Sequence, residues 1–357
     1  MLQVESASKG KKPKRYIITG DLRILVSRWI GSNGPFYLPD KRFFSALTQS
    51  MTNKLTEIFN NEVEIIHMPY EYIKTGLMML LATEAKETPI VSLDQVYIEQ
   101  GIADKYFDTN RIVRWSKHVI ETEEQNGWFE IGHGPRNPAY SISHQLEQIK
   151  NQGRIQRMVN KRVIVVDDGI WTRQSLIAVQ RVLESAGIQV EKFIVGLEIR
   201  PQNDNDCITL EKPFHWVEKF IKEDVIDWVS ERDFYPGVPF SGRTLGEKID
   251  LDRLDHNLHE YYHAIPMEGN YGAPYVYPLG DPRAWASIPA DKVLDFSRFC
   301  LKQAICLYQS IEYETEKVTG LKKPIQVKHL PRPPYFYRKN KDSSVIEELK
   351  RSLETLN

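Results

Sequence analysis

Short apolar runs alternate with amphipathic segments through the first 200 residues of the chain. RYIITG, EVEIIHM and TPIVSL each predict a strand, whereas FFSALTQSMTNKLTEIF has apolar residues at helical spacing and predicts a helix with Asp40 as its N-cap. Between them, Pro69 to Gly76 is predicted as a loop and LMMLLATEA as a buried helix. This alternation predicts an α/β fold with an open, mainly parallel sheet flanked by helices.

The run RVIVVDDGI predicts the most distinctive strand, because four β-branched residues lead directly into two adjacent aspartates. RQSLIAVQRVLESAG then has apolar residues at helical spacing, with Gly187 where a C-terminal helix cap belongs. IQVEKFIVGLEI follows as the next strand and completes a βαβ unit. Asp167 and Asp168 are therefore predicted to lie at the carboxyl end of a buried parallel strand.

Changes in composition divide the chain into three predicted parts. Residues 1–14 are polar and basic and are predicted to form a disordered tail. Residues 15–200 are predicted to form the α/β domain, with an irregular insertion at about 104–153 around GHGPRNPAYS. Residues 201–357 are rich in aromatic residues and proline and are predicted to form an extension with helices, among them LDFSRFCLKQAICLYQSIEYETE.

Composition and charge narrow the function classes. The 357 residues are 41% hydrophobic and 27% charged, as in ordinary globular proteins. A net charge of −1 gives no bulk basic field, so nucleic-acid binding is not expected. The sequence has no apolar run of about 20 residues, no recognisable signal peptide and no paired cysteine framework. These features predict a cytoplasmic protein without a membrane partner, and they leave its oligomeric state open.

The position of the acidic pair suggests a chemical use for it. Ligands of open parallel sheets bind beyond the carboxyl ends of the strands. Adjacent carboxylates can accept hydrogen bonds from two neighbouring hydroxyl groups, such as those of a ribose. The turn from Gly169 to Gln174 leads into a helix whose first N–H groups favour an anion, and Thr172 and Ser175 can donate to phosphate oxygens. The stretch therefore predicts a cradle for a ribose 5-phosphate group.

The same stretch resembles the signature of the type I phosphoribosyltransferases. In that signature, an apolar strand is followed by two acidic residues, a short turn and two hydroxyl-bearing residues. Asp167 and Asp168 match the acidic pair, and Thr172 and Ser175 match the hydroxyl positions. The resemblance implies that the acidic pair acts in catalysis by holding the ribose hydroxyls of phosphoribosyl pyrophosphate (PRPP). It also implies that the turn binds the 5-phosphate.

The turn itself departs from the family pattern. Arg173 and Gln174 stand where the family normally has small residues. Without glycine the backbone amides approach a phosphate less closely, but Arg173 can supply a charge-assisted hydrogen bond itself. We therefore expect Gly169, Arg173 and Gln174 to take part in substrate binding.

Further candidate residues lie outside this turn. VEIIHMPYEYIKTGLMMLLA resembles the strand–loop–helix of the family's pyrophosphate loop, which implies Lys74 and Thr75 as substrate-binding residues. Arg136, Arg243 and Arg283 lie in Gly/Pro turns, where they suit either phosphate recognition or packing over an aromatic ring. The family resemblance also implies Mg²⁺, which would bridge the pyrophosphate and ribose oxygens.

Two functions follow from the resemblance. One is transfer of a phosphoribosyl group from PRPP to a nitrogen acceptor, with release of pyrophosphate. The other is a nucleotide-sensing module, or a bacterial regulatory or antiviral-defence module, that keeps the fold with altered chemistry. Both predict a phosphorylated ribose as the small-molecule partner.

Two motifs favour other classes. HEYYH fits the H-E-x-x-H pattern of a zinc hydrolase, with His259 and His263 as zinc ligands and Glu260 as general base. VIVVDD with the helix after it also resembles the start of a response-regulator receiver. A receiver needs a later apolar strand that ends in Asp, and the stretch CITLEKPF about one βαβ unit downstream does not supply it.

Overall fold

The computed structural model describes residues 13–33, 36–84, 88–99, 101–115, 128–135, 141–158, 160–171, 173–203, 210–244 and 271–356. The strands in chain order are β1 (Lys14–Gly20), β2 (Val63–Pro69), β3 (Ile90–Ser92), β4 (Lys105–Tyr106), β5 (Thr109–Trp115), β6 (Trp128–Pro135), β7 (Arg162–Ile170), β8 (Gln189–Arg200), β9 (Phe214–Ile221), β10 (Val225–Ser230), β11 (Arg243–Thr244) and β12 (Gly272–Ala273). The α-helices are α1 (Leu22–Asn33), α2 (Lys41–Ile58), α3 (Tyr70–Glu84), α4 (Ile142–Lys150), α5 (Gly153–Gln156), α6 (Gln174–Ser185), α7 (Pro282–Ala286), α8 (Val293–Thr319) and α9 (Val345–Glu354).

The larger sheet is parallel and has the strand order β4-β3-β7-β8-β9. Strand β7 lies at its centre. Its residues Val163 to Val166 are fully buried, as is usual for a parallel strand that is covered on both faces. Val165 pairs with Val91 of β3 on one side and with Phe193 of β8 on the other. The acidic pair therefore belongs to the central strand of this sheet.

A second, three-stranded parallel sheet has the order β10-β1-β2. In β1, Ile17 pairs with Trp228 of β10 and with Ile66 of β2. Strand β10 comes from the aromatic-rich part of the chain that follows residue 201, so this part contributes to the central sheets.

Helices cover the sheets. Helix α3 packs on β8 and β9, α6 packs on β8, and α2 packs on β2. Beyond them, α8 packs against α2 and α9, and its buried face joins a large apolar cluster. The predicted α/β class, with mainly parallel strands flanked by helices, is confirmed.

Several predicted elements are confirmed. Asp40 caps α2, since its side chain accepts a hydrogen bond from the Phe43 N–H at 2.9 Å. Gly187 follows α6 with a positive φ of 77°, as a C-terminal capping glycine does. The long C-terminal helix spans Val293–Thr319.

Two predictions about connecting segments are wrong. The loop predicted from Pro69 to Gly76 is helical, because α3 begins at Tyr70 directly after β2. Gly76 does not end this helix: a Cβ there would overlap the Val217 side chain of β9, so the glycine lets the helix approach the sheet. The segment 104–153, predicted as irregular, contains the antiparallel pair β5–β6 and the helix α4.

Residues 1–12 of the predicted tail lie outside the described residues, and β1 begins at Lys14. Among the described helices, none is both long enough and apolar enough to cross a membrane.

Candidate ligand-binding site

The acidic pair lies near the carboxyl end of β7, as the sequence predicts. Both side chains are half-buried, and the Asp167 carboxylate accepts a hydrogen bond from the Asp168 N–H at 3.0 Å. Gly169 comes next, and a Cβ at this position would overlap the Trp228 ring of β10 and lie 2.9 Å from Cβ of Leu197. The structure therefore gives Gly169 a packing role between neighbouring strands, beside the acidic pair.

The turn after β7 places Arg173 in contact with Phe214 and Glu198. Arg173 has a left-handed φ of 61° and precedes α6. Its guanidinium lies 4.9 Å over the Phe214 ring, and its Nε donates to Oε1 of buried Glu198 at 3.0 Å. Its Nη2 contacts the same oxygen. Arg173 thus takes part in an internal ion pair, and its predicted contact with a phosphate stays a prediction.

The other predicted residues of the turn are only partly described. Ser175 is half-buried in the first turn of α6. Thr172 and the side chain of Gln174 lie outside the described residues. Their predicted roles stay predictions.

Lys74 and Thr75 lie on α3. Nζ of Lys74 is 2.5 Å from Oε1 of Glu99, which also accepts from Nη2 of Arg28 at 3.0 Å. Thr75 is exposed to solvent. The predicted pyrophosphate loop is therefore a helix whose lysine is engaged by a neighbouring carboxylate.

Four predicted site residues lie outside the described part of the chain: Arg136, His259, Glu260 and His263. Within the described part, no group of three or more His, Cys, Asp or Glu residues is arranged to hold a metal ion. The zinc hypothesis on the HEYYH motif stays a prediction.

The acidic pair lines a cavity of about 190 Å³ that opens to solvent. The cavity wall contains four carboxylates, those of Asp94, Asp167, Asp168 and Asp233. It also contains three guanidinium groups, those of Arg232, Arg243 and Arg332. The wall is formed where β3, β7 and β10 reach their carboxyl ends, which is where parallel sheets bind ligands.

Asp94 is the most enclosed of these carboxylates. It follows β3 and accepts hydrogen bonds from the N–H groups of Val96, Tyr97 and Ile98 at 2.9, 2.6 and 3.0 Å. Burial, and to a lesser extent the neighbouring carboxylate of Asp168, raises the pKa of Asp94 to about 6, although the three N–H groups act to lower it. Asp168 therefore disfavours the negative charge of Asp94, and a cation or a hydrogen-bond donor in the cavity would relieve this effect.

Arg232 connects the ends of three strands. It lies just after β10, and its guanidinium binds Asp21 at the end of β1. Its Nη2 is 3.9 Å from Asp168, and its Nε is 3.9 Å from Asp233. Burial acts to lower the pKa of Arg232, but the carboxylates of Asp21, Asp233 and Asp168 raise it, so the group stays cationic. Burial raises the pKa of Asp21 to about 6, and Arg232 limits that rise.

Arg243 and Arg332 also line the cavity. The Arg243 guanidinium lies 5.5 Å from the centre of the Tyr275 ring, which lines the same cavity. Nη2 of Arg332 donates to the carbonyl of Gly242 at 3.4 Å. Arg243 thus packs over an aromatic ring, which is one of its two sequence alternatives, and it also lines the cavity. Phosphate recognition by Arg243 stays a prediction. Arg283 is different, because its guanidinium forms two hydrogen bonds with the neighbouring Asp281 at 3.0 and 2.8 Å.

Sequence reasoning did not identify Asp94, Arg232 or Arg332 as site residues. Asp94 and Arg232 each follow a short apolar strand, IVS and VIDWVS, within two residues of its end. That signal could have marked both residues, since ligands of parallel sheets bind beyond the carboxyl ends of the strands. Arg332 lies in a proline-rich segment and carries no local signal.

No family model matches the chain. Comparison with curated proteins finds no relative. Among solved structures, a hypothetical protein from Neisseria gonorrhoeae with bound ppGpp is 12% identical, with 44% of this chain and 82% of that chain covered and a TM-score of 0.27. An adenine phosphoribosyltransferase from Rhodothermus marinus is 15% identical, with 42% and 79% covered and a TM-score of 0.25. A purine phosphoribosyltransferase from Pyrococcus horikoshii is 13% identical, with 50% and 93% covered and a TM-score of 0.25. At such TM-scores these likenesses carry no argument, and the fold class rests on the observed strand order.

Proposed function

We propose that the cavity binds a phosphorylated ribose, either PRPP or a ribose 5-phosphate nucleotide. One observation carries this proposal: an acidic pair at the carboxyl end of a central parallel strand shares a cavity with three guanidinium groups. Carboxylates suit the hydroxyl groups of a sugar, and guanidinium groups suit its phosphates. A ligand that carries both groups fits such a wall better than a purely anionic or purely cationic one.

Each part of the ligand has a candidate partner. Asp167 and Asp168 accept hydrogen bonds from the 2- and 3-hydroxyls of the ribose. The first N–H groups of α6 and the Ser175 hydroxyl are donors for the 5-phosphate, since the start of a helix favours an anion. We propose Thr172 as a further donor to the 5-phosphate, as the sequence predicts.

The reaction that this ligand supports is transfer of the phosphoribosyl group to a nitrogen acceptor. The acceptor nitrogen forms a bond to C1 of the ribose, the bond from C1 to the pyrophosphate oxygen breaks, and pyrophosphate leaves with the bonding electrons. Positive charge develops on the ribose ring, and Asp167 and Asp168 stabilise it electrostatically. The proton of the acceptor nitrogen passes to solvent, because no described residue is assigned as its base.

Mg²⁺ is proposed to accompany the pyrophosphate. Mg²⁺ prefers oxygen ligands, keeps several waters and is usually held by one or two carboxylates together with substrate phosphates. The described residues contain no ready-made group of three ligands, but Asp167 and Asp168 offer the carboxylates that such a shared site needs. The ion would neutralise charge on the leaving pyrophosphate.

Arg173 favours a second candidate, a sensor that binds the nucleotide without transferring it. Arg173 occupies a left-handed position in the turn, and Glu198 holds its guanidinium. With Arg173 and Gln174 in place of small residues, the backbone of the turn approaches a phosphate less closely, so ligand binding can persist where transfer is slow. The predicted roles in regulation or antiviral defence belong to this candidate.

Calorimetric titration with PRPP, with and without Mg²⁺, tests the proposal, with AMP and GMP as further ligands. We expect saturable binding of PRPP that Mg²⁺ strengthens. Release of pyrophosphate from PRPP in the presence of nucleobases identifies the transferase, and binding without release identifies the sensor. If none of these ligands binds the folded protein, the proposal is wrong.

A further inference from the structure

A basic segment of 21 residues, 321–341, follows α8. It contains five lysines and two arginines but no aspartate or glutamate. The whole chain has a net charge of −1, so this segment concentrates positive charge that the overall composition does not reveal. Arg332 is buried and lines the cavity. The other six basic side chains are exposed or half-buried: Lys322, Lys323, Lys328, Arg338, Lys339 and Lys341.

The fold brings lysines from both ends of the basic segment together. The N–H of Lys328 donates to the carbonyl of Lys341 at 2.8 Å, so these two residues are neighbours. Nζ of Lys323 lies 5.9 Å from the centre of the Phe36 ring, and the His329 ring lies 5.6 Å from the same ring. Burial, and then the charges of Lys328 and Lys323, lower the pKa of His329. Lysines that are up to 18 positions apart in the sequence therefore contribute to one positive surface.

Little of this positive charge is compensated by carboxylates. Lys328 forms an ion pair of 2.7 Å with the exposed Asp342, which directly follows the basic segment. Within the described part of the chain, the other four lysines form no ion pair: Lys322, Lys323, Lys339 and Lys341. Such lysines suit the phosphates of a nucleic acid, because their contact releases counterions that the phosphates had condensed.

Aromatic side chains lie beside these charges. Phe336 is 47% exposed, and its ring contacts the Tyr335 ring edge-on at 5.9 Å. The Arg338 guanidinium lies 3.7 Å from the centre of the Tyr335 ring. An exposed ring among cations suits the stacking of an unpaired base, since every base has a π-face. A duplex offers no such face, because its bases are already stacked on one another.

We propose that the basic segment binds single-stranded nucleic acid, with four lysines at the phosphates and one ring against a base: Lys323, Lys328, Lys339, Lys341 and Phe336. The proposal goes beyond the proposed function and is independent of it, because none of these five side chains lines the cavity. An acidic protein or a membrane surface also attracts lysines, but neither has a base for Phe336.

Fluorescence anisotropy with labelled oligothymidylate and oligouridylate of roughly 20 nucleotides, at several salt concentrations, tests the proposal. We expect Lys328→Gln with Lys339→Gln and Lys341→Gln to weaken binding about tenfold or more at low salt. The slope of log affinity against log salt should fall by about 2, since each phosphate contact of a single strand contributes about 0.7. The matched control is Lys41→Gln with Lys222→Gln and Lys302→Gln, which removes three exposed lysines from other elements and should change affinity by less than about threefold.

Phe336 provides a test that charge alone does not affect. We expect Phe336→Ala to weaken oligonucleotide binding about fivefold or more and to leave the salt slope unchanged, because only stacking is lost. Phe336→Tyr keeps an aromatic ring and should bind like wild type. Binding of PRPP and ribose 5-phosphate should change by less than about threefold in all of these variants, which separates this surface from the cavity.

Three results would overturn the proposal. One is wild-type protein that binds neither oligonucleotide at low salt. Another is an equal loss of affinity in the control variant with three lysines replaced. The third is binding of duplex DNA, polyglutamate or phosphatidylserine vesicles as tight as that of the single strands, with no effect of Phe336→Ala, because the surface would then recognise negative charge alone.

Discussion

Among single side chains, Arg232 and Arg173 act in different ways. Arg232 lies within 3.9 Å of Asp168 and binds Asp21, so it holds positive charge beside the proposed ribose site. Arg173 is closer in sequence, but its side chain packs between Phe214 and Glu198. We therefore assign Arg173 to stability and Arg232 to the electrostatics of the cavity.

Removal of the Arg173 side chain should destabilise the fold. Arg173→Ala leaves the buried Glu198 carboxylate without its partner, and we expect the free energy of unfolding to fall by about 3–5 kcal/mol. Affinity for ribose 5-phosphate should change by less than about threefold. Chemical denaturation and calorimetry measure the two quantities.

Two further variants test whether the loss of stability in Arg173→Ala comes from the broken ion pair with Glu198. Arg162→Ala, which removes an exposed guanidinium 3.7 Å from Glu191, should cost only about 0–1 kcal/mol. Adding Glu198→Gln to Arg173→Ala should restore much of the lost stability. Unchanged stability together with weak 5-phosphate binding in Arg173→Ala would place this guanidinium on the ligand instead.

Among the strands and helices, the sequence predicts those that depend on local pattern. Strand β7 and its acidic pair are recognisable because four buried β-branched residues precede them. The helix α3 was placed too late, because Gly76 was interpreted as a loop signal while it in fact allows close packing on Val217. The contact of Arg232 with Asp21 was missed because the two residues are 211 positions apart in the sequence, and no local pattern encodes such a contact.

The end of β10 carries a buried carboxyl group that should make stability depend on pH. Glu231 accepts a hydrogen bond from the Thr48 hydroxyl at 2.7 Å and lies 4.0 Å from Nε2 of His67. Burial raises the pKa of Glu231 from 4.5 to about 8, and the Thr48 hydroxyl partly offsets this. Burial also lowers the pKa of His67, so His67 does not supply a compensating positive charge at neutral pH.

Glu231 is therefore protonated in the folded protein at pH values where the unfolded chain is ionised. Its contribution to stability is present below about pH 4.5 and is lost as the pH rises to about 8. Compared with wild type, Glu231→Gln should gain about 3–5 kcal/mol in unfolding free energy across this interval. Denaturation series at several pH values measure the gain, and Glu347→Gln, on an exposed face of α9, is the control. A constant difference between Glu231→Gln and wild type would contradict the raised pKa.

For the molecule as a whole, the proposed site depends on segments that are far apart in sequence. The larger sheet supplies Asp94 and the acidic pair, and the part after residue 201 supplies Arg232, Arg243 and the smaller sheet's strand β10. The sequence predicted the α/β class from its alternating pattern and the acidic pair because the pair belongs to one continuous segment. The arginines of the cavity could not all be predicted from the sequence, because they come together only after the chain has folded.

The account depends above all on the acidic pair, and binding of ribose 5-phosphate to Asp167→Asn with Asp168→Asn tests it. The substitutions keep the side-chain size at a half-buried strand end, so the variant should fold. Loss of two charged hydrogen-bond acceptors should weaken binding about 100-fold or more by calorimetry. The matched control is Asp291→Asn with Asp342→Asn, two exposed carboxylates that do not line the cavity, and it should bind like wild type. Affinity within about threefold of wild type in a folded acidic-pair variant would contradict the account.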